Sequence, residues 1–132
     1  MGAWGHGSFE NDDAADFGIE LESRGWEIVY SALHAATGLA PEEYLEAPEA
    51  SQALAAAEVV AAVKTGEASR LPPDVRAAVA GLGPLPDMAL IDGARAAIVR
   101  VLADSELKDL WAESGDDSAW LEDVATLAER LR

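Results

Sequence analysis

Apolar residues recur along this chain at helical spacing, and Gly or Pro interrupts them at short intervals. After an aperiodic opening, Ala14, Phe17 and Leu21 fall at i, i+3 and i+7. That spacing is the inner stripe of a first helix from a cap at Asn11 or Asp12 to about Ser23. Gly25 separates it from a second helix over residues 26–37, with Trp26, Val29, Tyr30, Leu33 and Ala36 inward and Gly38 at its end. Pro41 turns the connector over residues 39–47. Pro48 then suits the first turn of a third helix, about 49–64, where its missing N–H costs little. Residues 53–63 of that helix are apolar on nearly every side except at Glu58, the pattern of a buried helix.

The second half repeats this punctuation. Pro72-Pro73-Asp74 opens a short helix to about Ala80, and Gly81, Gly83, Pro84 and Pro86 break the chain again. A fifth helix over about 87–103 carries two stripes, one of Met88, Ile91, Ile98 and Leu102, the other of Leu90, Ala94, Ala97 and Val101. Two stripes place it centrally, and Gly93 within it marks a candidate close crossing. Asp104 or Ser105 caps a sixth helix that ends at Gly115. Asp116, Asp117 or Ser118 caps a seventh with Leu121, Val124, Ala128 and Leu131 on its stripe. No segment alternates apolar and polar residues over a strand's length. The expectation is an all-α fold, an irregular or orthogonal bundle of about six to seven short helices. It forms a single helical domain over residues 1–132, with residues 1–10 a loop packed on the bundle and helices three and five at the centre.

Charge adds a partner class to this picture. Twenty-five acidic residues against nine basic ones leave a formal net charge of −16. Such a surface repels nucleic acid and anionic lipid and attracts cationic partners. The chain has no cysteine, so disulfides, thiolate metal sites and cysteine nucleophiles are excluded, which fits a cytoplasmic protein. No run approaches a membrane span and no signal peptide is evident. The Met1-Gly2 start lacks the Ser or Thr of a myristoylation signal, having His6 in that place.

The opening stretch MGAWGHGSFENDDAADF resembles the start of a bacterial family, DUF4259, whose members begin Met-Gly-x-Trp-Gly-x-Gly, then Phe-x-Asn-Asp and a helix bearing Asp-Trp or Asp-Phe. Two further stretches resemble it. One is Tyr44-Leu45-Glu46-Ala47-Pro48 leading to the alanine-rich residues 55–61, and the other is residues 104–113, DSELKDLWAE. The resemblance spans nearly the whole chain, with Phe17 where such families have Trp. It implies a small bacterial cytoplasmic protein and implies no activity.

Candidate chemistry is sparse. The Gly5-His6-Gly7 loop precedes a helix, but Glu10, Asp12 and Asp13 crowd that helix start with negative charge, and no phosphate-binding glycine motif is present. Trp4 and Phe9 are expected to bury their rings on the bundle, or Trp4 and His6 to face a partner. Asp12 and Asp16, at i and i+4, place two carboxylates on one face; ordinary capping and solvation account for them, or else an Arg such as Arg24 or Arg95, or a divalent cation, neutralises them. Glu58 must be paired or protonated if buried, and Glu46 and Tyr44 lie upstream of it. His34 shares a face with Trp26 and Tyr30 and is expected to be partly buried.

Ser8, Ser105 and Ser118 read as turn or cap residues. No metal motif, cofactor motif or catalytic constellation is present. The leading expectation is a non-catalytic acidic interaction module for a basic protein, antitoxin- or immunity-like. The alternatives are a small enzyme or divalent-metal binder using Asp12, Asp16, Glu46 and Glu58, and a homo-oligomeric scaffold.

Overall fold

A computed structural model describes residues 5, 7–115 and 117–132. Seven helices run through the described residues: α1 (Asp12–Arg24), α2 (Trp26–Thr37), α3 (Ala47–Thr65), α4 (Pro73–Ala80), α5 (Ala89–Ala103), α6 (Glu106–Ser114) and α7 (Asp117–Arg130). Among these residues the only β pairing is one isolated parallel bridge between Leu45 and Ser105. The protein is therefore all-α, and His6 and the Trp4 ring lie outside the described residues.

Local chemistry accounts for most helix ends. Asn11 caps α1, its Oδ1 accepting from Ala14 N–H at 2.8 Å, and Asp12 and Asp13 place negative charge at the positive end of the helix dipole. Gly25 carries the break between α1 and α2 at φ 57°, a left-handed value that a side chain resists. Ser105 caps α6 by accepting from Lys108 N–H. The start of α3 differs from the sequence expectation. It begins at Ala47, two residues early, and its cap comes from elsewhere: Ala47 N–H donates to Glu106 Oε1 of α6 at 2.8 Å. Glu106 N–H in turn donates to Leu45 O at 2.8 Å, so the two helix starts lock together.

α3 runs through the middle of the molecule. Every residue from Ala53 to Ala62 is buried, and α1, α2, α5, α6 and α7 all pack on it. Its alanines let the neighbours approach closely. α2 packs on both α3 and α5, so the centre is a trio rather than the expected pair. The buried apolar side chains form one contiguous cluster from Phe9 to Leu131.

Several predicted inner positions face water instead. Met88 precedes α5 and is exposed, Tyr30 is exposed, and Leu121 gives way on α7 to Trp120 and Leu127. On α2 and α7 the true stripe is rotated by about one residue, because the neighbouring helix crosses at an angle that periodicity does not specify, whereas Met88 is exposed because α5 starts only at Ala89. His34 is exposed as well, on the solvent side of α2.

Gly93 does not mark an obligatory close crossing. A Cβ there would meet Leu33 Cδ1 at 3.8 Å, an ordinary contact, and its φ is not left-handed. Gly93→Ala is therefore expected to stabilise the fold by about 0.4–1 kcal/mol, mainly by restricting the unfolded chain. A rise in the urea midpoint checks this, and a fall would show that α2 and α5 lie closer than described.

Candidate functional site

The sharpest chemical feature is Glu58. It lies mid-way along α3 and only 1% of it is exposed, so its charge needs partners inside the protein. They come from two other elements. Arg70, on the connector after α3, donates from Nε to both carboxylate oxygens, at 3.1 and 3.0 Å. Arg130 of α7 places Nη1 3.9 Å from Oε1. Asp123, one heptad before Arg130 on α7, lies 3.1 Å from Arg70 Nη2, and that nitrogen also donates to the Asp123 carbonyl at 3.4 Å. Arg130 further donates to Thr65 Oγ1 at 3.3 Å and to the Glu67 carbonyl.

Burial pushes the Glu58 carboxyl above its usual range, and the Arg70 hydrogen bond and charge pull part of that shift back. Desolvation would lower the Arg70 pKa, but Glu58 and Asp123 together raise it, so the guanidinium stays charged. With both Glu58 oxygens accepting from Arg70, the arrangement clamps α3, the connector and α7 together.

A cleft of about 480 Å³ opens beside this cluster. Gly7, Ser8, Phe9 and Glu10 line it, with Leu71, Pro72, Glu58, Arg70 and Asp123. Phe9 is buried, so the N-terminal loop is tied down by its ring. Glu10 folds back on that loop and accepts from Gly7 N–H at 3.2 Å. A Cβ at Gly5 would run into the Glu10 carboxylate, so glycine there keeps room for that fold-back.

Of the candidates singled out by sequence that lie among the described residues, Phe9 and Glu58 meet at this cleft and the others do not. Asn11 is occupied as a helix cap. Asp12 and Asp16 are exposed on α1, beside Asp13 and near Glu49 of α3. Desolvation first, then Asp16, Asp12 and Glu49, raise the Asp13 pKa. Arg24 does not neutralise this group, since it pairs with Glu20 and Glu27, and Arg95 pairs with Asp92. Glu46 is exposed at the start of α3, twelve residues and roughly 18 Å of helix from Glu58. Neither it nor Tyr44 approaches the buried carboxylate. Among the described residues, no group of three or more His, Asp or Glu is placed to hold a metal ion.

A second feature was not singled out by sequence. Tyr44, half exposed, crosses to α6 and donates its hydroxyl to Asp109 Oδ2 at 2.6 Å. Glu106, Asp109, Leu110, Ala112 and Glu113 complete a shallow groove beneath it, about 510 Å³ in volume. The pairing spans 65 residues, and only the packing of α6 on the connector brings it about. The Asp109 hydrogen bond, then partial burial, then the charges of Asp109, Glu106 and Asp104 push the Tyr44 pKa up to about 12.

The sign of that shift sets a pH window. Tyr44 is neutral when folded, so its contribution to stability is complete below pH ~10 and is lost as pH rises toward 12. Spectroscopic titration should show tyrosinate forming well above pH ~10, and Asp109→Asn should bring the Tyr44 component down. Unshifted ionisation in the parent protein would mean the bond is absent in solution.

The fold and these sites define a small all-α bundle whose buried ion-pair cluster borders a cleft lined by residues 7–10, in a chain of formal net charge −16. A family model described as a domain of unknown function, DUF4259, matches residues 2–123, and the chain belongs to that family. No curated protein and no solved structure matches the chain. Among the described residues, no helix is long and apolar enough to cross a membrane.

Proposed function

We propose that this chain is a non-catalytic interaction module of the bacterial cytoplasm that binds a basic protein, in the manner of an antitoxin or immunity protein, and does so through the acidic groove at Tyr44. The observation that carries this reading is the groove itself. An exposed aromatic ring stands over Glu106, Asp109 and Glu113, and a Lys or Arg side chain fits such a place by ion pairing and by stacking on the ring.

The disposition of charge supports it. Positive side chains are largely engaged within the fold. Arg24, Arg95 and Arg132 pair with carboxylates on their own helices or the adjoining one, Arg70 and Arg130 serve Glu58, Lys64 donates to the Arg132 carbonyl, and Arg100 to carbonyls of the 39–43 connector. The excess carboxylates are left to set the outer field, which speeds encounter with a cationic surface and excludes anionic ones.

The test is capture at low ionic strength followed by titration of the recovered protein with salt. A stoichiometric complex with a basic protein is expected. It should weaken steeply as salt rises. It should also weaken at least tenfold in Tyr44→Ala/Glu113→Gln, with the circular dichroism spectrum unchanged. Recovery of no basic partner, or binding indifferent to these substitutions, overturns the proposal.

A further inference from the structure

The N-terminal loop meets the bundle at a second, much smaller space. A crevice of about 20 Å³ lies between Ser8 and Asn11 of the loop region, Asp13 of α1, Ser51 of α3 and the rings of Trp111 and Trp120. Those two rings stack at 6.4 Å and 11° and form its apolar side. Ser8 is 7% exposed, and its Oγ is fully buried with no hydrogen-bond partner. A buried hydroxyl left in that condition costs about 1–3 kcal/mol, which the fold must offset or avoid. Ser51, 3% exposed, faces the same space, and so does Asp13, whose carboxyl is partly desolvated there. Asn11 is already committed, its Oδ1 to Ala14 N–H and its Nδ2 to the Ser8 carbonyl at 3.4 Å.

A water molecule needs roughly 10–15 Å³ of such space and two to four polar partners. The crevice has room for one and little more, and Ser8, Ser51 and Asp13 supply the partners. We infer that a single ordered water is bound between the Ser8 and Ser51 hydroxyls and Asp13, joining the N-terminal loop to α3. Ser8 also borders the cleft over Glu58 and Arg70, so this water fixes the loop that helps line that cleft.

Water–amide cross-relaxation in the isotopically labelled parent protein tests this without any substitution. A long-lived water signal is expected at the amides of Ser8 and Ser51. Ser8→Ala and Ser51→Ala should each abolish it. Because both remove the same bridge, the double variant's unfolding constant should stay within about twofold of the weaker single variant. No long-lived water at these amides in the parent protein overturns the inference, and so do two substitutions whose effects simply add.

Discussion

Glu58→Ala is expected to lower stability by about 3–5 kcal/mol, because it strands two guanidinium groups that were positioned for a buried carboxylate. For a chain of this length that is a fall of roughly 10–20 °C in the unfolding midpoint. The size follows from burial: the Glu58 side chain is almost wholly enclosed and Arg70 and Arg130 are mostly so, which leaves little water to screen the loss. Glu58→Gln keeps the shape and should cost less. The paired change Glu58→Met/Arg70→Met should recover much of the loss, since apolar replacements of a buried ion pair are often neutral. Thermal and urea unfolding of the three variants provide the comparison. A loss under 1 kcal/mol for Glu58→Ala would mean that water reaches the cluster freely.

Phe17→Ala is the second large effect, about 3–5 kcal/mol. Phe17 is among the largest fully buried side chains, on the face of α1 that also buries Ala14 and Leu21. Beside it Gly18 brings α1 close to Val75 of α4, where even a Cβ would lie 3.1 Å from a methyl carbon. Helices held that near cannot collapse into the space a ring leaves behind, so the cavity term adds to the lost transfer energy. Chemical denaturation should show a lower midpoint with an unchanged slope. A changed slope would instead indicate that α1 detaches as a unit.

These two residues differ in how far the sequence revealed them. Phe17 was legible in full, since its helix, its stripe and its burial follow from spacing alone. For Glu58 only the demand was legible. A carboxylate in an apolar helix needs a partner, yet nothing local identifies Arg70, across the Gly66 turn, or Asp123 and Arg130 on the last helix. Scarcity narrows the choice only to nine cationic side chains, and Arg70 itself has Glu67 and Asp74 within four residues, so no local rule selects it. Tyr44 left no such trace. It sits on an irregular connector, and its partner Asp109 lies on a helix whose polar face looks ordinary in sequence.

The chain's own pattern determined the all-α class, the helix count, most boundaries, the apolar third helix and the family. It could do so because helical period, capping and glycine breaks are properties of consecutive residues. The tertiary structure alone decided which face of α2 and α7 turned inward, which cations met Glu58, that Glu46 stays far from it, and that Tyr44 overhangs an acidic groove. Those outcomes depend on crossing angles and on contacts between residues far apart in the chain, and one-dimensional periodicity carries no information about either.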